Sequence, residues 1–351
     1  SVTPYAHPIV PLLLDIGSAC EAMPDVKLPL ADHYPGGLER SEWHIKKGIE
    51  TYEHYFGMKP EGCWPSEGAM SMATLALMDK YGFRWAASGE SVLRNSLNLP
   101  QTPAELREEQ VIHQSYRPAE QQIACFFRDD GLSDLIGFVY SKWHADDAVG
   151  DFVQHLENIA VANTDKPDAV VSIILDGENA WEYYPENGYY FLSALYERLA
   201  DHPALELTTF SEVLRQQQAP SPSLPHIVAG SWVYGSFSTW IGGEDKNRGW
   251  DMLVDAKRVY DQVVKPEKWS GEQLQALERQ LAICEGSDWF WWFGDYNPSD
   301  AVKDFERLYR LQLNTLYEML GVEPPEYLAH SFTHGGGNPD AGGVMRPGRE
   351  T

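Results

Sequence analysis

Short unbroken apolar runs alternate along this chain with stretches in which apolar residues return every third or fourth position. The second pattern predicts helices. Ser41–Tyr55 carries Trp43, Ile45, Ile49 and Tyr52 on one broad face that Phe56 extends, with Ser41 as N-cap and Gly57 as stop. Ala69–Lys80, ending near Gly82, Ile136–Trp143, Asp146–Ala162 and Tyr189–Leu199 read the same way. The unbroken runs predict strands at Phe83–Ser88 and Gln122–Phe127, and a short strand at Leu205–Thr209 precedes a helix capped by Ser211. The most informative run is Ala169–Tyr184, AVVSIILDGENAWEYY. Val170, Val171, Ile173 and Ile174 lack alternation, which predicts a strand buried on both faces as in a parallel sheet. Strand and helix in turn predict an α/β sheet or barrel.

The pattern changes after Gln216–Pro225, QQQAPSPSLP, a Pro/Ser-rich stretch that reads as a domain boundary. Beyond it, Asn247–Val264, Ser270–Ile283 and Ser299–Leu320 read as helices with little strand signal between them. The expected organisation is an α/β catalytic domain over residues 1–218, a helical domain over 226–330 and a Gly-rich tail over 331–351, mobile or wrapped on the surface. Aromatic loops at Gly230–Trp250 and Glu285–Tyr296 interrupt the helical part. Trp289–Trp292 cannot all face one helical stripe, so at least one of these rings is expected at a cleft. No internal repeat is found.

Composition narrows the functions. The 27 Lys and Arg against 52 Asp and Glu give a formal charge of −25, which repels phosphate backbones and leaves nucleic acid an unexpected partner. No apolar run has the roughly 18 residues of a membrane span. Cys20, Cys63, Cys125 and Cys284 are isolated, which fits buried thiols in a reducing, cytoplasmic compartment and neither a zinc site nor a disulfide framework. Twelve Trp and 18 Tyr, many in polar loops, point to a binding surface.

The histidines show no ligand spacing, so no metal is expected. There is no nucleophile-elbow serine and no phosphate loop. Paired carboxylates remain. Asp176 and Glu178 flank Gly177 at the carboxyl end of the predicted strand, and Glu67 stands at a loop-to-helix junction after Trp64. Each carboxylate could equally cap or complement the next helix. As a pair, Glu67 and Asp176 suit glycoside cleavage, in which one carboxylate attacks the anomeric carbon and a second carboxyl group protonates the leaving oxygen. Arg128 is expected to keep one of them ionised by charge pairing.

WPSEG at Trp64–Gly68 and LDGENAW at Leu175–Trp181 resemble the two catalytic motifs of glycoside hydrolase family 57. PYAHPIVPLL (Pro4–Leu13), FFRDDGLSDLIGF (Phe126–Phe138) and EGSDWFWW (Glu285–Trp292) are similar to further segments of its amylopullulanase-like and α-amylase-like branch, in the same order. The resemblance spans almost the whole chain. It implies a (β/α)7-type barrel followed by a helical domain that helps close the active site. It also implies retaining action on an α-glucan or maltooligosaccharide, without cofactor. By position, Glu67 would be the nucleophile and Asp176 the general acid/base. His7, Trp64, Arg128, Asp129, Asp134, Glu178 and Trp181 would line the sugar site, with Trp240, Asp288 and Trp289 reaching in from the helical domain. The family pattern opens on a strand ending in His-Gln-Pro, which this chain does not contain, so the barrel is expected to be incomplete at its N-terminus. Hydrolase, 4-α-glucanotransferase or branching-type transglycosylase, and catalytically weak glucan binder stay open on this reading, as does the oligomeric state.

Overall fold

The computed structural model describes residues 1–98, 109–265, 269 and 271–336. Its elements in chain order are α1 (Val10–Leu14), α2 (Ala19–Ala22), α3 (Gly37–Phe56), β1 (Gly62–Cys63), α4 (Met72–Lys80), β2 (Trp85–Gly89), α5 (Glu90–Leu97), α6 (Glu109–Ile112), β3 (Arg117–Pro118) and β4 (Ala124–Arg128). There follow α7 (Asp130–Asp134), α8 (Ala145–Ala162), α9 (Tyr189–Ala200), α10 (Phe210–Gln216), β5 (Ser223–Leu224), α11 (Glu244–Val263), α12 (Gly271–Cys284), α13 (Asp288–Trp292) and α14 (Ser299–Met319). Ser270 and the tail past Gly336 lie outside the described residues.

The apolar runs 83–88 and 122–127 become β2 and β4, which pair in parallel from Trp85 opposite Ala124 to Gly89 opposite Arg128. β1 joins the other edge of β2, and Val2 adds a parallel bridge to Cys63. The carboxyl ends of these strands therefore open side by side onto Trp64–Gly68, Glu90 and Arg128–Asp130, where parallel α/β folds hold their chemistry. The short pair β3–β5 pins the Pro/Ser-rich stretch beneath this sheet, with Leu224 fully buried.

The run 169–175 does not form the expected doubly buried strand. Single bonds join it to the residue after β4, Asp129 N–H to Ser172 O at 2.9 Å, and to the residue after α6, Val170 N–H to His113 O at 3.0 Å. Side chains take the backbone groups that a ladder would need: Arg128 Nε–H donates to Ile174 O at 2.8 Å, and Ile174 N–H donates to Ser133 Oγ at 3.3 Å. Val170 and Ile174 pack with Trp85 and Phe126, whereas Val171, Ile173 and Leu175 pack against the core of α8 and α9. Leu205–Thr209 is likewise not a strand; it has no regular structure, and Leu207 is exposed.

Several helix starts also differ. Ser41 lies buried inside α3, whose N-cap is Gly36 in the left-handed region. α4 starts at Met72 because Met70 is drawn into an antiparallel bridge with Gly230, leaving Ser71 Oγ to accept from Thr74 N–H. Thr209 caps α10, while Ser211 Oγ accepts the indole N–H of Trp85 at 3.0 Å. After β4 the helical path begins at Asp130 rather than Ile136, since Asp129 caps it at Leu132 N–H; it continues through a π-helical turn, Leu135–Val139.

The largest apolar core joins Ile9, Leu12, Leu13 and Ile16 to residues of α11, α12 and α14. At its margin is a buried polar centre. Glu285 Oε2 accepts from Arg40 at 2.7 Å and sits 2.7 Å from His44 Nε2, and Tyr34 donates to Oε1. Although burial acts to raise its pKa, Arg40 and His44 hold Glu285 down at about 2. The sign follows directly. Stability from this depressed carboxyl is present above pH ~4.5 and is lost as pH falls toward ~2. Glu285→Gln is expected to cost roughly 3–5 kcal/mol in urea unfolding at neutral pH, because Arg40 keeps its buried charge without a counter-charge. The variant should lose part of the parent's steep acid destabilisation. Equal unfolding midpoints for the two proteins would contradict this.

Candidate active site

Glu67 sits in a tight turn just past β1. Its backbone is left-handed (φ 57°, ψ 26°), and Gly68 follows at φ 58°. A non-glycine residue there costs on the order of 1–3 kcal/mol, so neighbours must hold it. Pro65 O accepts from Gly68 N–H at 2.8 Å, and Glu67 O accepts from Trp232 N–H at 3.1 Å. Trp232 also donates its indole N–H to Glu67 Oε2 at 3.0 Å, fixing the side chain as well. Gly68 is required on a second ground: a Cβ there would lie 2.9 Å from the ring of Trp64.

A second strained pair faces the first. Ala6 and His7 have φ of 57° and 55°, and His7 Nδ1 lies 4.0 Å from Glu67 Oε1. Ser287 Oγ is 2.9 Å from His7 Nδ1, and Ser287 N–H donates to His7 O at 2.9 Å. That double contact brings the Glu285–Asp288 turn to the N-terminal segment. Ligand atoms of His7, Glu67 and Asp288 then fall within 4.8 Å of one another. Three distant segments supply this group, which is why no spacing in the sequence reveals it. Its imidazole and carboxylates could receive a divalent cation or the hydroxyls of a sugar.

Asp176 and Glu178 complete the cleft from the segment beside β4. Burial pushes the Glu67 carboxyl up to about 7; the Trp232 hydrogen bond opposes this, and Asp288 and Glu178 add to it. Burial and then the charges of Glu67 and Glu178 push Asp176 up to about 6, against Asn179 and His7. Burial lowers His7, opposed by Asp288, Glu178 and Asp176. His7, Glu67 and Asp288 meet directly, and Asp176 and Glu178 stand close enough for their charges to act on that group.

The other expected site residues are placed differently. Arg128 does not contact Glu67. It is fully buried and donates to Asp130 at 2.9 Å and Asp134 at 2.7 Å. Its guanidinium lies 5.0 Å from the centroid of Trp232, so it reaches Glu67 only through that indole. Asp129 caps α7 with Oδ1 and sits 3.0 Å from His113 Nε2 with Oδ2. Trp64 stands edge-on to Trp232 at 5.7 Å, forming a wall of the Glu67 turn. Trp181 is partly buried and packs on Tyr184 at 5.4 Å and Phe191 at 6.1 Å, at the margin of the α8–α9 core. Trp240 is completely buried, with no face left for a sugar. Trp289 leans on Tyr309 at 5.6 Å while remaining half-buried next to Asp288. Sequence reasoning missed Trp232 and Ser287. Both lie in stretches it singled out, GSWVYG and EGSDW, but only the fold shows that they touch Glu67 and His7.

The profile of glycosyl hydrolase family 57 matches residues 1–225, and the chain belongs to that family of glycoside hydrolases. No curated protein matches its sequence. Among solved structures it is similar to a branching enzyme of the family from Thermococcus kodakaraensis, at 17% identity and TM-score 0.63, over 98% of this chain and 74% of the other. The α-amylase AmyC from Thermotoga maritima is similar at 15% identity and TM-score 0.63, over 91% of this chain and 66% of that one. The 4-α-glucanotransferase from Thermococcus litoralis is similar at 14% identity and TM-score 0.57, over 82% and 46%. These likenesses establish the shared fold, here a mixed α/β and largely helical one with small parallel sheets.

A raised carboxyl stabilises the fold only while protonated. For Glu67 that contribution is present below about pH 4.5 and is lost as pH rises through about 7. Glu67→Gln cannot ionise, so it is expected to melt higher than the parent near pH ~8 and at the same temperature near pH ~4. The full difference is on the order of 3 kcal/mol. Calorimetric scans at both pH values test this, and an equal shift at each would contradict the electrostatic origin.

Proposed function

We propose that the protein is a retaining α-glucan-active glycoside hydrolase in which Glu67 attacks the anomeric carbon and Asp176 is the general acid/base. The observation that carries this reading is the pair Glu67 and Asp176 in an aromatic-walled cleft, pushed up by burial to about 7 and about 6, with the Glu67 charge adding to the rise at Asp176. Such a pair holds a single proton between its two steps, the charge state that double displacement starts from. The roles need that proton on Asp176, whereas burial makes Glu67 the weaker acid of the two. The Trp232 N–H on Glu67 works in the direction the roles require, since a hydrogen bond to the charged form favours ionisation. A glycosidic oxygen that accepts a hydrogen bond from the protonated Asp176 would do the same, by favouring its neutral form. His7, Glu178 and Asp288 are assigned to sugar hydroxyls. The strands β1, β2 and β4, with Val2 and the 169–175 segment beside them, form one side of a (β/α)7-type barrel on this reading.

Water or a sugar hydroxyl can resolve the glycosyl-enzyme intermediate. The solved relatives include an amylase, a branching enzyme and a glucanotransferase, so the acceptor is to be read from product sizes. Maltooligosaccharides and pullulan incubated with the parent should give products in the presence of a chelator, shorter only for hydrolysis and both shorter and longer for transfer. Glu67→Gln and Asp176→Asn should each lose about 10³-fold or more in kcat. Asp176→Asn should recover partly on substrates whose leaving group needs no proton. Normal activity in either variant would refute the roles, and loss of parental activity to chelator would favour a cation at His7, Glu67 and Asp288.

Trp232→Phe keeps the packing of Trp232 in part but removes the indole donor. The acidic limb of kcat/KM against pH, where the nucleophile must ionise, is expected to move to higher pH. An unmoved limb would show that this hydrogen bond does not tune Glu67.

A further inference from the structure

Away from the Glu67 cleft, a cavity of about 290 Å³ opens where the turn after α7 meets α8 and α9. Its size is at the low end for ligand pockets, which begin near roughly 300 Å³. Tyr140, Trp143, Tyr184 and Tyr190 supply its walls, and His144 and Asp146 its polar rim. Two of these aromatic side chains are not used by the core: Trp143 is 45% exposed and Tyr190 57% exposed. Tyr140 stands 5.4 Å from Trp143 at a steep angle and is itself fixed by donating to Asp151 at 2.7 Å, giving the indole one firm wall to lean on. Tyr189, 5.5 Å from Tyr190, continues the exposed aromatic surface outward at 65% exposure, and Tyr183, 60% exposed, precedes the lining Tyr184 in the chain. Burying large flat rings costs little conformational entropy, and a pre-set platform avoids most of the cost of ordering.

The occupant follows from the chemistry. The chain carries a net charge of −25, Asp146 lines the rim and Asp151 holds the lining Tyr140, which disfavours an anion. Flat rings with a few imidazole and carboxylate groups at the edge match a pyranose, whose C–H faces stack and whose equatorial hydroxyls exchange hydrogen bonds.

We propose that this cavity and the Tyr183–Tyr189–Tyr190 surface beside it form a second sugar-binding site that holds an outer segment of an α-glucan chain. The identity of the sugar rests on the α-glucan reading above. The site is also connected to the catalytic segment. Tyr184 lines the cavity and ends the stretch that begins with Asp176, and Trp181 packs on it at 5.4 Å. A chain held here gains effective concentration at the cleft without any change in the chemistry of the cleft.

The test is native gel electrophoresis of the full chain with and without soluble starch, alongside kinetics on amylose and maltotetraose. The parent and Glu67→Gln should both be retarded by starch. Trp143→Ala/Tyr190→Ala should weaken the apparent affinity for starch about ten-fold and raise KM for amylose similarly. Its kinetics on maltotetraose should stay within about twofold of the parent. Tyr190→Ala alone, at a largely exposed side chain, should give part of the effect and serves if the double variant does not fold. Retardation of the variants equal to the parent, or no retardation of the parent, overturns the site. Absence of products from every glucan, with retardation that still depends on Trp143 and Tyr190, would sink the catalytic reading and leave the site standing.

Discussion

The Glu285 carboxylate is the constraint on which the geometry of the cleft depends. It is entirely buried, and it is tolerated there because Arg40 and His44 from one helix and Tyr34 from the preceding loop converge on it. A buried charge of this kind is weak evidence for stability, but its geometry admits few alternatives. α3 lies against the N-terminal segment, where Tyr5 N–H donates to His44 O at 3.0 Å. Glu285 also opens the turn that carries Ser287 and Asp288. One ion cluster therefore sets where His7 and Asp288 stand, and both face Glu67.

Strain appears at the places this constraint leads to. Ala6–His7 and Glu67–Gly68 are consecutive left-handed pairs on opposite sides of the cleft. Each is locked by backbone bonds to a segment from the second half of the chain, Ser287 in one case and Trp232 in the other. Residues from the aromatic loops thus do more than wall the site. They hold its backbone in a conformation that the local sequence would not choose, which is how binding groups come to be ordered before substrate arrives.

What was legible in the sequence follows from the range of the interactions involved. The runs at β2 and β4 and the long helices α3, α8, α11, α12 and α14 show in local periodicity because one packed face decides them. The segment 169–175 reads as a strand by the same rule and is not one, because Arg128 and Ser133 bind its backbone. That competition is tertiary and leaves no trace in spacing. Glu67 and Asp176 are visible as carboxylates beside tryptophans. Their meeting with His7 and Asp288 joins segments from distant parts of the chain. Trp240 differs, since an aromatic in a polar stretch reads as a binding surface until packing claims it entirely, whereas Trp181 stays partly exposed.

Arg128 marks the physical choice made in this cleft. A guanidinium directly on Glu67 would keep it ionised and depress its pKa, as Arg40 does for Glu285. Instead Arg128 is committed to Asp130 and Asp134, and a tryptophan stands between it and Glu67. The indole N–H then supplies one moderate hydrogen bond in place of a full charge. Glu67 is left to burial and to its acidic neighbours, which raise it toward neutrality. A carboxylate pinned by a salt bridge would be a poor nucleophile, because attack must discharge it. On the proposed roles, a nucleophile held by a single indole loses little when its charge passes to the sugar, and burial leaves the Glu67 carboxyl raised toward neutral pH.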